Sequence, residues 1–444
     1  MAQMCNGHEN EYVLAFDFSL DNLDYSLFSP AGDWIIPHHA SENNWPGYQQ
    51  MKADVLAHLA DLDGDARLTV AGESTGTLWQ HAFYHISTDL DFAPLDPSLA
   101  LLNPQHVKHF RRVRPEDDKT DPQDSRLIGS YYQTVGVKNP HSFDFRYLPL
   151  RHLTRAYFRL THTLASEKAF AVSLVYLLAS EYARLKPLAD RFSVTAVHLL
   201  TEYPDVAELA DLPVDDLAET IQTLGRGHFR DPDEKANALQ QVARDSYPFP
   251  DPLRPTVHTV LCHSLALIRF MEGQKKAYRR LIKTELAQLP EASLALAEKG
   301  LGTIIVGGVL GEIQDPRRFT TGRKFDRAKG RWRECKYRDG QAAVARMAGL
   351  WWPRRSSGRF EGDERQLARE RNPYLRYWLV QAAHTLKKNR EDYAAFYRRK
   401  YNETQKHQHK RALILTARKA VRLVFALLHK GQEERLTQEA ANTT

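Results

Sequence analysis

Four acidic residues stand where an α/β fold would bring carboxylates together. Asp17 lies near the end of the apolar run Tyr-Val-Leu-Ala-Phe-Asp-Phe, and Glu73 follows a second apolar run. Asp121 and Asp124 open a helical pattern and, being three residues apart, share one helix face. Acids at strand ends point into the crevice where α/β proteins bind ligands. This set therefore predicts a two-metal phosphoryl-transfer site that binds Mg²⁺ and would also accept Mn²⁺.

Each of these acids also has a purely structural interpretation. Asp121-Pro122-Gln123-Asp124 has the residue types of a helix N-terminus, with Asp as the cap and Pro in the first turn. Glu73 lies in Gly-Glu-Ser-Thr-Gly, which suits a turn. Asp17 is the hardest to explain structurally, because a carboxylate within an apolar strand is costly unless it is paired or metal-bound.

A second candidate site is the basic segment Arg354-Arg355-Ser356-Ser357-Gly358-Arg359. A serine beside a glycine can approach a phosphate closely, and flanking arginines can stabilise the charge of the transition state. The segment is also compatible with a plain basic loop. Either serine could be the nucleophile, and we favour Ser357 because it adjoins Gly358.

The elements that would position these residues follow from the apolar periodicity. We expect strands at residues 12–18, 24–28, 67–71 and 99–102, and a further strand that begins with residues 34–36. We expect helices at residues 50–62, 78–86, 105–112 and 122–132. Three strands in a meander followed by alternating helices and strands is the order of a ribonuclease-H-type domain. Periodicity alone supports only the α/β class.

Strand patterns disappear after about residue 150. Helical patterns at residues 155–185 and 257–289, with a proline-rich break at 247–255, predict a helical arm or coiled-coil-like spacer. Residues 294–310 predict a helix, a tight glycine turn and a helix, which fits either a helix–hairpin–helix or an αα-corner. We therefore expect three domains: an α/β domain at residues 1–150, the arm at 151–290, and a mostly α domain at 291–444.

Charge is distributed unevenly along the 444 residues. Residues 301–444 hold 32 of the 61 Lys and Arg residues but only 15 of the 55 Asp and Glu residues. Residues 317–338 contain ten basic and two acidic residues with four aromatic residues between them, a pattern typical of nucleic-acid binding. A solvated basic face without a partner is the alternative.

Composition excludes several classes of protein. The three cysteines form no CxxC pair, which excludes a disulfide framework and a cysteine-type zinc site. The most apolar stretch, residues 301–310, is too short to span a bilayer, and the polar first ten residues are unlike a signal peptide. We expect a soluble, cytoplasmic protein without a membrane partner.

Several ordered motifs resemble those of the DEDD-type insertion-sequence transposases. In the N-terminal part the matches are Asp17-Phe-Ser19 with Leu23-Asp24, Glu73-Ser-Thr75-Gly76, and Lys119-Thr120-Asp121-Pro-Gln-Asp124. In the C-terminal part they are Gly300-Leu-Gly302, Asp315-Pro-Arg-Arg-Phe319, Ala348-Gly-Leu350, Ser357-Gly358 and Arg371-Asn-Pro-Tyr-Leu-Arg376. This family includes bridge-RNA-guided recombinases and is related to site-specific DNA invertases. The resemblance covers roughly residues 11–135 and 291–430.

The resemblance implies a RuvC-like catalytic domain at the N-terminus and a transposase domain at the C-terminus. Asp17, Glu73, Asp121 and Asp124 would be the metal-binding tetrad, and Ser357 would form a phosphoserine link to DNA. Leu20, Ser125 and Arg371 depart from the usual Lys, Ala and Gly of the family, and none of these departures touches the tetrad.

The function implied is that of a DNA transposase or recombinase of a bacterial mobile element, associated with the nucleoid when active. Its partners would be target and donor DNA, a structured guide RNA, and further copies of itself in a homodimer or homotetramer. The basic residues expected to contact nucleic acid are Lys119, Arg126, Arg317, Arg318, Arg323, Lys324, Arg354, Arg355, Arg359 and Arg376. The alternatives are an invertase that uses no guide RNA, a metal-dependent nuclease acting on Holliday-type junctions, and a non-catalytic nucleic-acid-binding protein.

Overall fold

The fold is that of a computed structural model. It describes residues 10–60, 66–74, 76–113, 121–135, 144–326, 330–353, 356–357, 360–361, 367–369 and 371–443. The chain divides into two compact units: Met1–Arg151 together with Leu289–Thr444, and His152–Gln288.

A five-stranded mixed sheet forms the centre of the N-terminal part. Its strands are β1 Glu11–Phe18, β2 Asn22–Phe28, β3 Trp34–Glu42, β4 Arg67–Glu73 and β5 Ser98–Leu102, in the spatial order β3-β2-β1-β4-β5. The first three strands are antiparallel, whereas β1, β4 and β5 are parallel. This arrangement confirms the α/β, ribonuclease-H-like prediction for this part of the chain.

Helices cover both faces of this sheet because strands β1, β4 and β5 bury apolar residues on both sides. The helices are α1 Trp45–Leu59, α2 Trp79–Thr88, α3 Pro104–Val113 and α4 Asp121–Val135. Even-numbered residues of β1, such as Phe16, pack with α1 and α2. Odd-numbered residues, such as Val13 and Ala15, pack with α3 and α4. Each residue of β1 can therefore be assigned to one face of the sheet.

The unit His152–Gln288 is helical and has its own hydrophobic core. Its helices are α5 Leu148–Leu178, α6 Tyr182–Leu185, α7 Val194–Glu202, α8 Glu208–Asp211, α9 Val214–Leu224, α10 Pro232–Asp245 and α11 Arg254–Ala287. The long helices α5 and α11 are antiparallel: Arg279 Nε lies 3.1 Å from the Tyr157 hydroxyl, and the Ser264 hydroxyl lies 2.6 Å from Glu167 Oε1. The described part of this unit contains no strand.

The two long helices of this unit have boundaries that differ from the sequence-based expectation. The helix expected at 155–185 begins earlier and ends at Leu178, where a break precedes α6. Ser246 accepts a hydrogen bond from the Glu181 amide at this break, at 3.2 Å. The helix expected from 257 begins at Arg254, because Pro255 is compatible with the first turn of a helix.

The C-terminal part is mostly helical, as expected. Its elements are α12 Ser293–Ala297, α13 Thr303–Ile313, β6 Arg323–Asp326, β7 Arg331–Glu334, α14 Tyr337–Met347, β8 Ser356–Ser357, β9 Phe360–Glu361, α15 Pro373–Asn389, α16 Glu391–Asn402 and α17 Gln408–Thr443. Helices α12 and α13 flank a turn at Gly300, whose φ of 102° favours glycine. The strands β6 and β7 pair antiparallel, as do β8 and β9, and the sequence analysis did not predict these strands.

Helix α13 forms the centre of this part. Its residues from Ile305 to Ile313 are buried all round, and a Cβ at Gly308 would lie 2.4 Å from the Trp378 indole of α15. The N-terminal part reaches this core through residues near the start of α5. The Tyr147 hydroxyl donates a hydrogen bond to buried Glu291, and Arg151 Nε lies 3.8 Å from Glu312 of α13.

No helix among the described residues combines the length and the apolar character needed to cross a membrane.

Candidate active site

Asp17 and Glu73 lie at the carboxyl ends of adjacent parallel strands. The last paired positions of β1 and β4 are Phe16 and Gly72, so the two acids are the next residue on each strand. Ala15 and Ala71, two residues earlier, pack in the cluster that contains α4. Because side chains alternate along a strand, Asp17 and Glu73 belong to the same face as α4.

Three contacts show how α4 runs across this face. The Ser125 hydroxyl lies 2.8 Å from the Ser26 hydroxyl, a Cβ at Gly129 would meet the Phe28 ring, and the Tyr132 hydroxyl donates to Glu11 at 2.9 Å. Since Ser26 pairs with Ala15 and Phe28 pairs with Val13, α4 runs antiparallel to β1. The first turn of α4 therefore lies at the end of the sheet where β1 and β4 finish.

The structure describes the side chain of only one of the two acids of α4. Asp121 is the first residue of the helix, but its side chain lies outside the described residues. Asp124 is half-buried and forms an ion pair with Arg111, in the last turn of α3. Arg111 thus provides the positive charge beside this carboxylate.

Asp24 is a further carboxylate at this position that the sequence analysis did not select as a site residue. It pairs directly with Asp17 in the β1–β2 ladder and lies two residues from Ser26, on the face of α4. Asp24 is 5% exposed, and its Oδ1 lies 2.9 Å from His38 Nε2. The signal in the sequence was an acid in the run at residues 24–28, which follows the run that carries Asp17.

The residue types at this end of the sheet fit a divalent cation, because carboxylate oxygens are the donors that Mg²⁺ and Mn²⁺ prefer. Among the side chains that the structure describes, no three His, Cys, Asp or Glu residues form a group able to hold a metal ion. That set does not include Asp121.

The candidate nucleophile lies in a short antiparallel pair of strands. Ser357 pairs with Phe360 and Ser356 pairs with Glu361, while the side chains of both serines lie outside the described residues.

Arg376 of α15 joins the two ends of the segment that carries the serines. Its Nε donates to the Ala348 carbonyl at 2.9 Å, and its Nη2 donates to the carbonyls of Gly349 at 2.6 Å and Ala368 at 3.1 Å. The Ala368 amide also donates to the Trp351 carbonyl at 3.0 Å. We call residues 348–351 with Ala368 the base of the serine segment.

Asn372 connects this base to the core of the C-terminal part. Its side chain caps α15 by accepting from the Leu375 amide at 2.9 Å, and its Nδ2 donates to Glu312 Oε2 at 2.7 Å. Its backbone amide donates to the Met347 carbonyl at 2.7 Å. Glu312 is buried in α13, so the base is anchored on the most buried helix of this part.

Most of the basic residues selected from the sequence have acceptors within the protein where their side chains are described. Arg126 Nε donates to the Pro37 carbonyl at 2.7 Å, Arg317 forms a two-pronged pair with Asp315, and Lys324 contacts Asp339 at 2.8 Å. Burial lowers the pKa of Arg318 to about 10, and its Nη1 lies 3.3 Å from Gln314 Oε1. The side chain of Arg323 lies outside the described residues, as do Lys119, Arg354, Arg355 and Arg359.

A ribonuclease-H-like sheet with acids at the ends of its central strands defines a class of enzymes that act on nucleic acids, and comparison with known families identifies the member. The model of a DEDD transposase of the IS110 type matches residues 15–174, and the model described as Transposase IS116/IS110/IS902 family matches residues 329–398. Together these matches span just over half of the chain. The chain belongs to the IS110 family of DEDD transposases. No curated protein matches the chain.

This membership establishes the coarse function. The protein is a transposase, an enzyme that cuts and rejoins DNA, and its family uses divalent metal ions.

Proposed function

We propose that this transposase cuts and rejoins DNA through Ser357, with two Mg²⁺ ions held by Asp17, Glu73, Asp121 and Asp124, and with a structured RNA selecting the DNA sites. The proposal is supported chiefly by one observation: the ends of β1 and β4 and the first turn of α4 meet at one end of the sheet. Carboxylates at such a meeting point have the chemistry needed to bind two cations.

The covalent step belongs to the serine. The Ser357 oxygen forms a bond to a DNA phosphorus while the bond from phosphorus to the 3′ oxygen breaks. The serine proton leaves to a base or solvent, and the released 3′ oxygen is protonated. Attack by the 3′ hydroxyl of another strand on the phosphoserine then restores the serine and rejoins DNA, so bond energy is conserved.

The residues around the serine would serve this step in distinct ways. Arg354, Arg355 and Arg359 would bind the phosphate and stabilise the negative charge of the transition state. When bound at the tetrad, Mg²⁺ neutralises phosphate charge and orients the phosphate for in-line displacement.

The division of labour along the chain is part of the proposal. Residues 1–150 would supply the tetrad, residues 151–290 would act as a helical arm, and residues 291–444 would supply the serine and a basic surface. Strand exchange requires at least two active sites, so we propose a homodimer or homotetramer. Base pairing with the bound RNA, rather than side-chain contacts, would choose the DNA sequence.

The experiment that tests the proposal looks for a covalent protein–DNA adduct on denaturing gels. Purified protein with its copurifying RNA is incubated with Mg²⁺ and DNA that spans the junction of its own element. The matched pair Ser357→Ala and Ser356→Ala identifies the nucleophile, and Asp121→Asn tests the tetrad. Chelation of Mg²⁺ and treatment with ribonuclease test the ion and the guide.

The expected result is an adduct in the wild type and in Ser356→Ala that is lost in Ser357→Ala, in Asp121→Asn and after chelation. Nicked DNA without an adduct in wild type and Ser357→Ala alike would overturn the serine mechanism and leave a metal-dependent nuclease. An adduct that survives ribonuclease would indicate an invertase-like enzyme without a guide.

A further inference from the structure

A cavity lies between helices α14 and α17 of the C-terminal part. It has a volume of about 450 Å³ and is lined by Arg338, Gln341, Ala342, Arg418, Val421 and Arg422. The three residues from each helix have the spacing i, i+3 and i+4, so each helix presents a single face to the cavity. Three of the six lining residues are arginines.

The positive charge of this cavity is not balanced by the acids that the structure describes. Arg346 lies on the same face of α14, and burial together with the charges of Arg422 and Arg346 lowers the pKa of Arg418. Among the described residues, no Asp or Glu forms an ion pair with any of these four arginines. The acids on neighbouring elements are already paired, Asp339 with Arg333 and Lys324, and Asp392 with Arg390 and Lys419.

One guanidinium nitrogen in the cavity has no acceptor among the described residues. Arg418 Nη1 is buried, and among the described residues nothing accepts its hydrogen bond. A buried donor without an acceptor is unfavourable, and more so when it is charged and surrounded by like charges. Arg338 and Arg422 are exposed at the same cavity, so an anion can enter from solvent.

Phosphate is the anion that best suits this arrangement. Guanidinium groups bind phosphate oxygens through parallel N–H donors, which is why arginine predominates at such sites. Helix α14 also leads from the cavity to the serine segment, because Met347 at its end accepts the Asn372 hydrogen bond at the base. Arg338 and Met347 are nine residues apart, which is about 14 Å along a helix. One strand of a duplex covers that length in about four nucleotides.

We propose that the cavity between α14 and α17 binds a backbone phosphate of nucleic acid through Arg338, Arg418 and Arg422. The bound strand would then run along α14 towards the serine segment. This inference rests on the proposed role of the C-terminal part in holding nucleic acid. A guanidinium cavity binds the phosphodiester of DNA and of RNA alike, so the test uses both.

The experiment compares two double variants of the full-length protein that each remove two positive charges from α17. Arg418→Gln/Arg422→Gln changes the cavity. Lys410→Gln/Lys430→Gln changes two exposed lysines of the same helix that do not line it. Binding of 20-nucleotide DNA and RNA of the same sequence is measured by fluorescence anisotropy at several salt concentrations.

We expect the cavity variant to bind about tenfold more weakly than the control variant. The slope of log K against log salt concentration should be smaller in magnitude by about 0.7 to 0.9, the value for one lost phosphate contact. Arg418→Lys/Arg422→Lys should retain most of the salt dependence because it keeps the charges. If only DNA binding or only RNA binding is weakened, the site is supported and the result shows which nucleic acid supplies the phosphate. Equal affinity and equal salt dependence in the two Gln variants would overturn the proposal.

A second measurement does not depend on the nucleic acid chosen. Inorganic phosphate, compared with chloride at equal ionic strength, should raise the Tm of the wild type and of the control variant more than that of the cavity variant. An identical phosphate effect in all three proteins would contradict the site. Since neither measurement uses strand cleavage, failure of the site is distinguishable from failure of the serine mechanism, which the adduct assay reports.

Discussion

At the scale of single residues, the environment of the candidate acids is set by their immediate neighbours. Asp24 is buried beside Asp17 and contacts His38, whereas Asp124 is paired with Arg111. Ser125, a departure from the usual family residue, is buried and its hydroxyl lies beside that of Ser26. These three polar groups are therefore paired in three ways: Asp24 with a neighbouring strand, Asp124 with helix α3, and Ser125 of helix α4 with strand β2.

The first prediction concerns Gly72, which immediately precedes Glu73. A Cβ at this position would lie 2.6 Å from the Phe18 ring and 3.1 Å from the Phe83 ring. We expect Gly72→Ala to lower the free energy of unfolding by about 1–3 kcal/mol through overpacking, and to reduce DNA cleavage by displacing Glu73. Urea denaturation and the adduct assay measure the two effects.

The matched control for this prediction is Phe18→Leu, which shortens the clashing side chain. In the double variant the two changes should cost less than the sum of the single changes, since the smaller side chain makes room for the methyl group. Strict additivity would show that the ring of Phe18 is not what excludes a side chain at position 72.

The second prediction concerns Asp339 and the pH dependence of stability. Hydrogen bonds from Arg333 and then Lys324 hold the pKa of its carboxyl well below the ordinary 3.8. A depressed pKa contributes stability above the unfolded value, and that contribution is lost as the pH falls through the folded pKa. The stability difference between wild type and Asp339→Asn should therefore be constant from pH 7 to about 5 and shrink below about pH 4.

Urea denaturation at pH 6 and pH 3.5 checks this prediction. Asp33→Asn, at an exposed loop position of the same unit, is the control for replacing a carboxylate by an amide. A difference between wild type and Asp339→Asn that is as large at pH 3.5 as at pH 6 would contradict the role assigned to these hydrogen bonds.

At the scale of elements, helix α15 anchors the base of the serine segment. The sequence suggested Arg376 as a nucleic-acid contact, but its Nε and Nη2 are directed to three carbonyls at the base of the serine segment. The start of α15, with Asn372 as its cap, joins the same base to Glu312. The two elements α14 and α15 thus define where the serine segment begins and ends.

Arg376→Gln should consequently reduce adduct formation by at least about tenfold without altering the salt dependence of DNA binding. Losing charged donors to three carbonyls should also lower the free energy of unfolding by about 2 kcal/mol. The adduct assay, anisotropy at several salt concentrations and urea denaturation provide the three readouts.

Arg371→Gln is the matched control, because Arg371 is a nearby exposed arginine whose Nη1 contacts only the Arg369 carbonyl among the described residues. It should leave adduct formation and stability nearly unchanged. If Arg376→Gln instead reduced the magnitude of the slope of log K for DNA against log salt concentration by about 0.7 to 0.9, Arg376 would be identified as a phosphate contact.

At the scale of the whole molecule, the chain combines a unit built from both of its ends with a helical unit built from its middle. The hydrophobic core of the middle unit is formed by residues between Leu164 and Met271, with further apolar residues from the same unit packed against it. Most of its buried contacts are thus made within one continuous stretch of chain.

A fragment of residues 148–288 should therefore fold by itself into a helical domain with a cooperative unfolding transition. Leu265 is 1% exposed, so Leu265→Ala should lower the stability of the fragment by about 2–5 kcal/mol. Leu267 is 45% exposed, and Leu267→Ala should have little effect. Circular dichroism during urea denaturation checks all three; an absence of cooperative unfolding would contradict an independent core.

The sequence by itself determined the α/β class of the N-terminal part and the positions of its strands. Alternation and apolar runs are local properties, and they locate strands such as β1 and β4 without knowledge of their partners. The same local patterns placed Asp17 and Glu73 at strand ends. The nucleophile and the guide RNA came from resemblance to the family and stay predictions.

Only the tertiary structure decided which residues lie together. Asp24 becomes a neighbour of Asp17 through strand pairing, and Arg376 reaches the carbonyl of Ala348 across 28 positions of the chain. Arg338 and Arg418 meet at one cavity although 80 positions separate them. Such contacts depend on how whole elements pack, and the free energy of packing is shared among many residues, so no local pattern reveals them.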